Sequence, residues 1–114
     1  MSDVEWTVEF EPEVDEWLKS LRRPQLLRVL AYLRLLRARG VLLGAPYTRQ
    51  LDGKLRELRF PLDGGAFRIS YFIASGRRVV MLTVFRKQRQ RERREVERAA
   101  RAMRNYIAEP GKGG

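Results

Sequence analysis

The alternation of hydrophobic and polar residues changes its period along this chain, and these changes separate strands from helices. From Trp6 to Phe10 every second residue is apolar, which predicts a half-buried strand. Pro12 suits the first turn of a helix. Apolar residues then recur at helical spacing, which predicts an amphipathic helix with an apolar face formed by Val14, Trp17, Leu18 and Leu21.

A second amphipathic helix follows Pro24 and ends near Gly40, a natural C-terminal cap. Its apolar face is formed by Leu26, Val29, Leu30, Leu33 and Leu36. Because only a short link separates the two helices, we expect them to form an antiparallel hairpin. Residues 40–53 are punctuated by Gly, Pro and Asp, and this composition predicts a loop.

Three strands and a last helix account for the rest of the chain. The strands are predicted at Lys54–Pro61, Ala66–Ala74 and Arg78–Arg86, and they are antiparallel because short glycine-containing turns join them. The helix runs from about Arg91 to Glu109, and residues 110–114 form a flexible tail. The order β-α-α-β-β-β-α predicts an α+β sandwich with a mainly antiparallel sheet, an N-terminal helical hairpin and a C-terminal helix, in one domain over residues 1–109.

The parity of the strand residues places polar side chains together. On the middle strand, one face carries Phe67, Ile69, Tyr71 and Ile73. The opposite face carries Arg68, and on the preceding strand it carries Glu57 and Arg59. We expect helices to bury the first face and to leave the second open, so that Glu57, Arg59 and Arg68 converge on an open surface. A β-bulge in either strand would break this parity.

Charge is unevenly distributed along the chain. Residues 1–16 contain seven acids and no base, so residues 17–114 hold 24 bases and seven acids, a net charge of +17. A field of that sign attracts a nucleic acid or an acidic protein partner. The chain has no His and no Cys, which excludes disulfides, thiol nucleophiles and thiolate metal sites, and we expect neither a metal nor a cofactor. An acidic N-terminus and the lack of a long apolar run predict a soluble cytoplasmic protein.

RNA cleavage is a reaction that Arg, Lys and Glu can support without His or Cys. The 2′-oxygen attacks the adjacent phosphorus and the 5′-oxygen leaves, while negative charge builds on the phosphoryl oxygens. On this hypothesis Arg59 and Arg68 stabilise that charge, Glu57 acts as base and Lys87 donates to the leaving oxygen. We expect nearby cations to lower the pKa of Glu57, and therefore a slow enzyme unless a large partner orients the RNA. The alternative for Glu57 is a surface ion pair.

A run of basic residues surrounds Lys87 at the end of the last predicted strand. Arg86 and Arg89 belong to this run and are candidate RNA contacts. Positive charge in the first turn of a helix opposes the helix dipole. This cost favours a functional reason for the run over a merely solvated start of the helix.

Three short motifs stand in a fixed order on the predicted strands. They are Leu55-Arg56-Glu57-Leu58-Arg59, Phe67-Arg68 and Phe85-Arg86-Lys87-Gln88. Their order and spacing resemble the RelE superfamily of bacterial toxins, and in particular its phage-derived, HigB-like branch. The resemblance implies a compact RelE-like fold and a small metal-independent endonuclease that cuts mRNA in the ribosomal A site. It also implies neutralisation by a cognate antitoxin, in this branch often a helix-turn-helix protein.

The resemblance further implies roles for individual residues. Arg59 and Arg68 match the phosphate-stabilising arginines of the family, and Lys87 matches the basic residue before the last helix. Lys54 and Arg56 lie on the strand where relatives contact RNA.

Two positions depart from the family pattern, and two other functions stay open. Gln88 replaces the second lysine of the last motif, and Glu57 stands where some members carry a catalytic lysine. The first alternative is a toxin of the ParE type, which shares the fold and acts on DNA gyrase without cutting RNA. The second is a non-catalytic module that binds a nucleic acid or an antitoxin.

Overall fold

A five-stranded sheet forms the centre of the molecule. The computed structural model describes residues 5–88 and 92–111. The elements are β1 (Thr7–Phe10), α1 (Pro12–Ser20), α2 (Arg23–Arg39), β2 (Thr48–Asp52), β3 (Leu55–Leu62), β4 (Gly65–Ala74), β5 (Arg78–Arg86) and α3 (Glu92–Ala108). The strands lie in the order β1-β5-β4-β3-β2. The predicted α+β class is confirmed, and the bounds of β5 are those that the alternation predicted.

Strand β2 is an element that the sequence did not predict, because residues 40–53 read as a loop. It pairs antiparallel with β3, and Arg49 lies directly opposite Glu57. The segment is polar and mostly exposed, and it forms one edge of the sheet, so that hydrophobic alternation is weak there. Its one apolar residue, Leu51, packs against the core on the α3 side. Arg49 lies on the same side, where it contacts Glu92 of α3.

Strand β1 forms the other edge and runs parallel to β5, whereas β2 to β5 are antiparallel. Helices α1 and α2 connect β1 to the rest of the sheet. Gly40 ends α2 as predicted, with a positive φ of 51°. A Cβ at this position would lie 2.0 Å from the Trp6 ring, so the packing of Trp6 also requires glycine.

The helices cover both faces of the sheet, which corrects the expectation of one open face. On the first face, α1 and α2 pack against a core that includes Leu58, Phe60, Ile69, Tyr71 and Met81. On the second face, α3 packs through Ala99 and Tyr106 against Leu55, Phe72, Val80 and Leu82. Because α3 covers this second face, the polar residues that share it lie beside a helix rather than on an open sheet.

Two register shifts interrupt the described sheet, but they leave the predicted parity of β3 and β4 intact. One lies in β2, between Gln50 and Asp52. The other lies between β4 and β5, where Ser70 faces Thr83 and the next residue, Tyr71, faces Met81. Pairing between β3 and β4 is continuous from Arg56 to Leu62. In the described ranges, no helix has the length and apolar character that a membrane crossing requires.

Candidate active site

The polar residues on the α3 side of the sheet form two rows across neighbouring strands. In the first row, Arg49 of β2 faces Glu57 of β3, which faces Ser70 of β4. In the second row, Arg59 of β3 faces Arg68 of β4. The prediction that Glu57, Arg59 and Arg68 converge is therefore confirmed, and the missed strand β2 adds Arg49 to them.

Glu57 is completely buried, with 0% of its side chain exposed. Its Oε2 atom lies 3.3 Å from Nε of Arg49, 3.7 Å from Nε of Arg59 and 3.3 Å from Nε of Arg68. None of these contacts has hydrogen-bond geometry, and among the described residues neither carboxylate oxygen has a hydrogen-bond partner. Both expectations for Glu57, an open surface and a surface ion pair, are wrong because β2, β4 and the arginine side chains enclose it.

Burial controls the ionisation of this cluster. It raises the pKa of Glu57 above its ordinary value, and this effect exceeds the opposing attraction of the guanidinium groups of Arg49, Arg68 and Arg59. The prediction of a lowered pKa counted the cations and omitted the desolvation. Burial likewise lowers the pKa of Arg68, although an arginine keeps its proton in proteins.

The three guanidinium groups differ in their access to solvent. The side chain of Arg68 is 7% exposed, that of Arg59 is 32% exposed and that of Arg49 is 45% exposed. Arg68 donates from Nη1 to the backbone carbonyl of Phe67 at 3.2 Å. Arg49 donates from Nη2 to Glu92, at the start of α3. The cluster is therefore buried at Glu57 and Arg68 and reaches the surface through Arg49 and Arg59.

Arg86 is the last residue of β5 and Lys87 follows it, and within the described residues neither forms an ion pair with Glu57. Lys87 is exposed, and its backbone N–H donates to the carbonyl of Ala66 at 2.7 Å. It leaves the sheet two residues beyond Phe85, which faces Arg68. Arg86 lies over the ring of Phe67, with its Cζ 6.0 Å from the ring centroid, and so belongs to the face covered by α1 and α2.

Lys54 and Arg56, two further predicted RNA contacts, do not join the cluster. Lys54 is exposed in the turn between β2 and β3, one residue before the strand that was predicted to include it. Arg56 lies on the opposite face of β3, where it donates to Thr48 Oγ1 at 3.0 Å and to the Tyr71 hydroxyl at 3.4 Å. Arg89 lies outside the described residues. Their contact with RNA stays a prediction.

The fold of this chain is the RelE-like fold. The Escherichia coli toxin RelE, in a free form with two arginines replaced by alanine, superimposes with a TM-score of 0.58 at 14% identity, over 89% of this chain and 97% of RelE. The RelBE2 toxin–antitoxin complex of Mycobacterium tuberculosis gives 0.55 at 20% identity, over 74% of this chain and 100% of the matched chain.

The chain belongs to the family described as Phage derived protein Gp49-like (DUF891), whose model matches residues 16–104. This match and the shared fold confirm the resemblance to the RelE superfamily and to its phage-derived branch. No curated protein matches the chain in sequence.

Proposed function

We propose that this protein is the toxin of a type II toxin–antitoxin system and that it cleaves mRNA on the ribosome. The observation that carries the proposal is the convergence of Arg49, Arg59 and Arg68 at a buried carboxylate on a RelE-like fold. Arginine binds phosphate oxygens through paired N–H donors and keeps its charge at any working pH. E. coli RelE, which has the same fold, is itself a toxin.

In the proposed reaction the 2′-hydroxyl loses its proton to solvent water and its oxygen bonds to the adjacent phosphorus, while the bond from phosphorus to the 5′-oxygen breaks. The products are a 2′,3′-cyclic phosphate and a 5′-hydroxyl. Arg59 and Arg68 stabilise the charge that builds on the phosphoryl oxygens. Lys87, exposed at the end of β5, donates a proton to the leaving oxygen. Glu57 has no exposed surface, so it does not meet a bound RNA unless the cluster rearranges. We therefore assign Glu57 no direct contact with the substrate, in place of the role of base that the sequence suggested.

The charge distribution supports RNA as the substrate and the ribosome as the place of cleavage. Residues 17–114 carry a net charge of +17, which attracts a polyanion and speeds its encounter with the protein. Among the described residues, no His offers an acid or base that titrates near neutral pH. A ribosome that holds the mRNA backbone in place would raise the rate by orienting the reacting groups. This orientation would compensate for weak proton transfer by the side chains.

An antitoxin is the proposed protein partner. The matched M. tuberculosis protein was solved as a toxin–antitoxin complex. We extend this arrangement to the present chain and propose a cognate antitoxin of the helix-turn-helix type. Co-expression with the product of the neighbouring gene, followed by co-purification and rescue of growth, would test this partner.

Mapping of mRNA 5′ ends in a translation extract tests the proposed activity. We expect new ends within ribosome-covered codons after addition of the wild-type protein and none with Arg68→Ala, provided that circular dichroism shows the variant to be folded. Intact mRNA together with arrested growth would contradict the proposal. Accumulated DNA breaks in that case would support the ParE type of action instead.

A further inference from the structure

Two residues of the cluster have no role in the proposed reaction. Arg49 comes from a strand that the sequence did not predict, and Glu57 is buried away from any substrate. Both nevertheless lie in one row of the sheet, directly opposite each other. A buried carboxylate whose oxygens lack hydrogen bonds is costly for the folded state, which points to a role other than stability.

We propose that Arg49 is a third phosphate-binding arm, and that Glu57 is a positioning residue that holds Arg49, Arg59 and Arg68 as one cradle for a single phosphodiester. The inference rests on the proposed function in one respect, since it takes the phosphodiester to be that of the RNA. It extends that function by naming a further binding residue and by changing the role of Glu57.

The geometry of the contacts supports a positioning role. All three guanidinium groups approach the same oxygen, Oε2 of Glu57, and all three do so with Nε. A guanidinium is planar and carries five N–H donors in a fixed fork. Because the contacts with Glu57 are made by Nε, terminal nitrogens remain for other acceptors, as Nη2 of Arg49 donates to Glu92 and Nη1 of Arg68 to the Phe67 carbonyl. One buried oxygen therefore attracts three guanidinium groups without using their terminal donors.

The charge of the cluster suits an anionic ligand. Three arginines and Glu57 leave two positive charges, and Glu92 offsets one of them at Arg49. A phosphodiester carries one negative charge, as Glu92 does. Two arginines directly opposite each other, as Arg59 and Arg68 are, destabilise a sheet unless another charge offsets them. The carboxylate of Glu57 would be enough to neutralise the buried Arg68. Neutralisation of Arg68 therefore does not explain why Arg49 and Arg59 also contact Glu57.

Glu92 shows how the cradle is occupied without RNA. Its carboxylate accepts a hydrogen bond from Nη2 of Arg49, which is the kind of donor that a phosphate oxygen would use. Both side chains are more than two-fifths exposed, so the exchange takes place at the surface. A bound phosphodiester would displace Glu92 from Arg49 and leave Glu57 in place beneath the three guanidinium groups.

Binding of a short 2′-O-methyl RNA oligonucleotide tests the inference, because this probe keeps the phosphodiesters and lacks the attacking hydroxyl. Fluorescence anisotropy gives its affinity at several salt concentrations. We expect Arg49→Ala to weaken binding about tenfold and to reduce the salt slope by about 0.7, the value for one phosphate contact on a single strand. The matched control is Arg34→Ala, which removes one positive charge from the exposed surface of α2.

Glu57→Gln separates positioning from simple attraction. The substitution removes a negative charge, so long-range electrostatics alone predicts tighter binding. A positioning role predicts weaker binding, by about tenfold, because the amide does not hold three cations. Glu92→Gln, which removes a negative charge at the outer end of Arg49, should tighten binding. Thermal unfolding checks that each variant is folded.

The inference is overturned if folded Glu57→Gln binds the probe as tightly as the wild type, or if Arg49→Ala weakens binding no more than Arg34→Ala. Should Glu57→Gln fail to fold, NMR of the arginine Nε–H groups in the wild type decides the question. We expect the signals of Arg49, Arg59 and Arg68 to shift together as probe is added, and unchanged signals would overturn the inference. Because the probe cannot be cut, these results do not depend on whether the protein cleaves mRNA.

Discussion

Two groups of ion pairs contact α3, and they differ in whether their carboxylate oxygens accept hydrogen bonds. Toward β1, both oxygens of Glu13 accept hydrogen bonds, one from Arg98 and one from the Val84 backbone N–H at 2.8 Å. In the Glu57 cluster, three arginines share one oxygen without hydrogen-bond geometry.

A second carboxylate toward β1 is satisfied in the same way. Glu9 accepts from the Tyr106 hydroxyl at 2.6 Å on one oxygen and from Arg78 at 3.1 Å on the other. These bonds join α3 to β1 and β5. The contrast with Glu57 indicates that the satisfied group stabilises the position of α3, whereas the cluster at β2 and β3 has donors left for a ligand.

The largest expected effect is on catalysis, at Arg68. Arg68→Lys keeps a positive charge beside Glu57. It loses the planar guanidinium, which can donate to two phosphoryl oxygens at once. We expect the rate of mRNA cleavage on programmed ribosomes to fall about hundredfold, as when one donor to a transition-state oxyanion is removed. Single-turnover cleavage with purified ribosomes measures it. An unchanged rate would remove Arg68 from the proposed mechanism.

Arg98, which is hydrogen-bonded to Glu13, is the residue to compare with Arg68. Arg98→Ala removes hydrogen bonds to Glu13, to Glu95 and to the carbonyl of Val84. Because Arg98 is partly exposed and water replaces some of these bonds, we expect a loss of about 1–2 kcal/mol in the free energy of unfolding. Urea denaturation measures the loss, and mRNA cleavage should be unchanged. A large loss of cleavage with full stability would contradict the separation of the two groups.

A smaller loss of stability is expected at Tyr106. Tyr106→Phe keeps the aromatic packing against Phe72 and removes the hydroxyl that donates to Glu9. We expect the free energy of unfolding to fall by about 1 kcal/mol. Urea denaturation at neutral pH checks this value, and an unchanged midpoint would show that water satisfies Glu9 equally well.

The smallest effect is a pH dependence of stability at Glu57. Its pKa is raised in the folded protein above the ordinary value of 4.5, so the folded state holds this proton more tightly than the unfolded chain. The stabilisation is fully present below 4.5 and is lost as pH rises through the folded pKa. Relative to Glu57→Gln, the wild type should therefore lose stability over this range. A gain in the stability of the wild type relative to Glu57→Gln as pH rises would instead indicate that the arginines lower the pKa of Glu57.

The sequence predicted those parts of the molecule that depend on local pattern. Alternation in β3 and β4 correctly placed Glu57, Arg59 and Arg68 on one face, because the register between these strands has no bulge. The burial of Glu57 was not predictable in this way. It depends on β2, whose polar sequence resembles a loop, and on α3, which covers a face that parity alone leaves open.

The ion pairs of the acidic N-terminal segment were likewise not predictable from local sequence pattern. Its charge was clear from composition, but its partners lie far away in the chain: Glu5 pairs with Arg37, Glu9 with Arg78 and Glu13 with Arg98. Parallel pairing of β1 with β5 brings Glu9 and Arg78 together, whereas Arg37 and Arg98 come from α2 and α3. Part of the excess of basic residues is therefore offset beside β1.

The chemistry of the mRNA ends tests the central claim most directly. Attack by the 2′-oxygen leaves a 5′-hydroxyl on the downstream fragment, which can be ligated to an adaptor only after phosphorylation. We predict kinase-dependent ends within ribosome-covered codons for the wild type and for Arg98→Ala, and their loss with Arg68→Lys. Full-length mRNA in the presence of the wild-type protein, or equal cleavage by folded Arg68→Lys, would contradict the account.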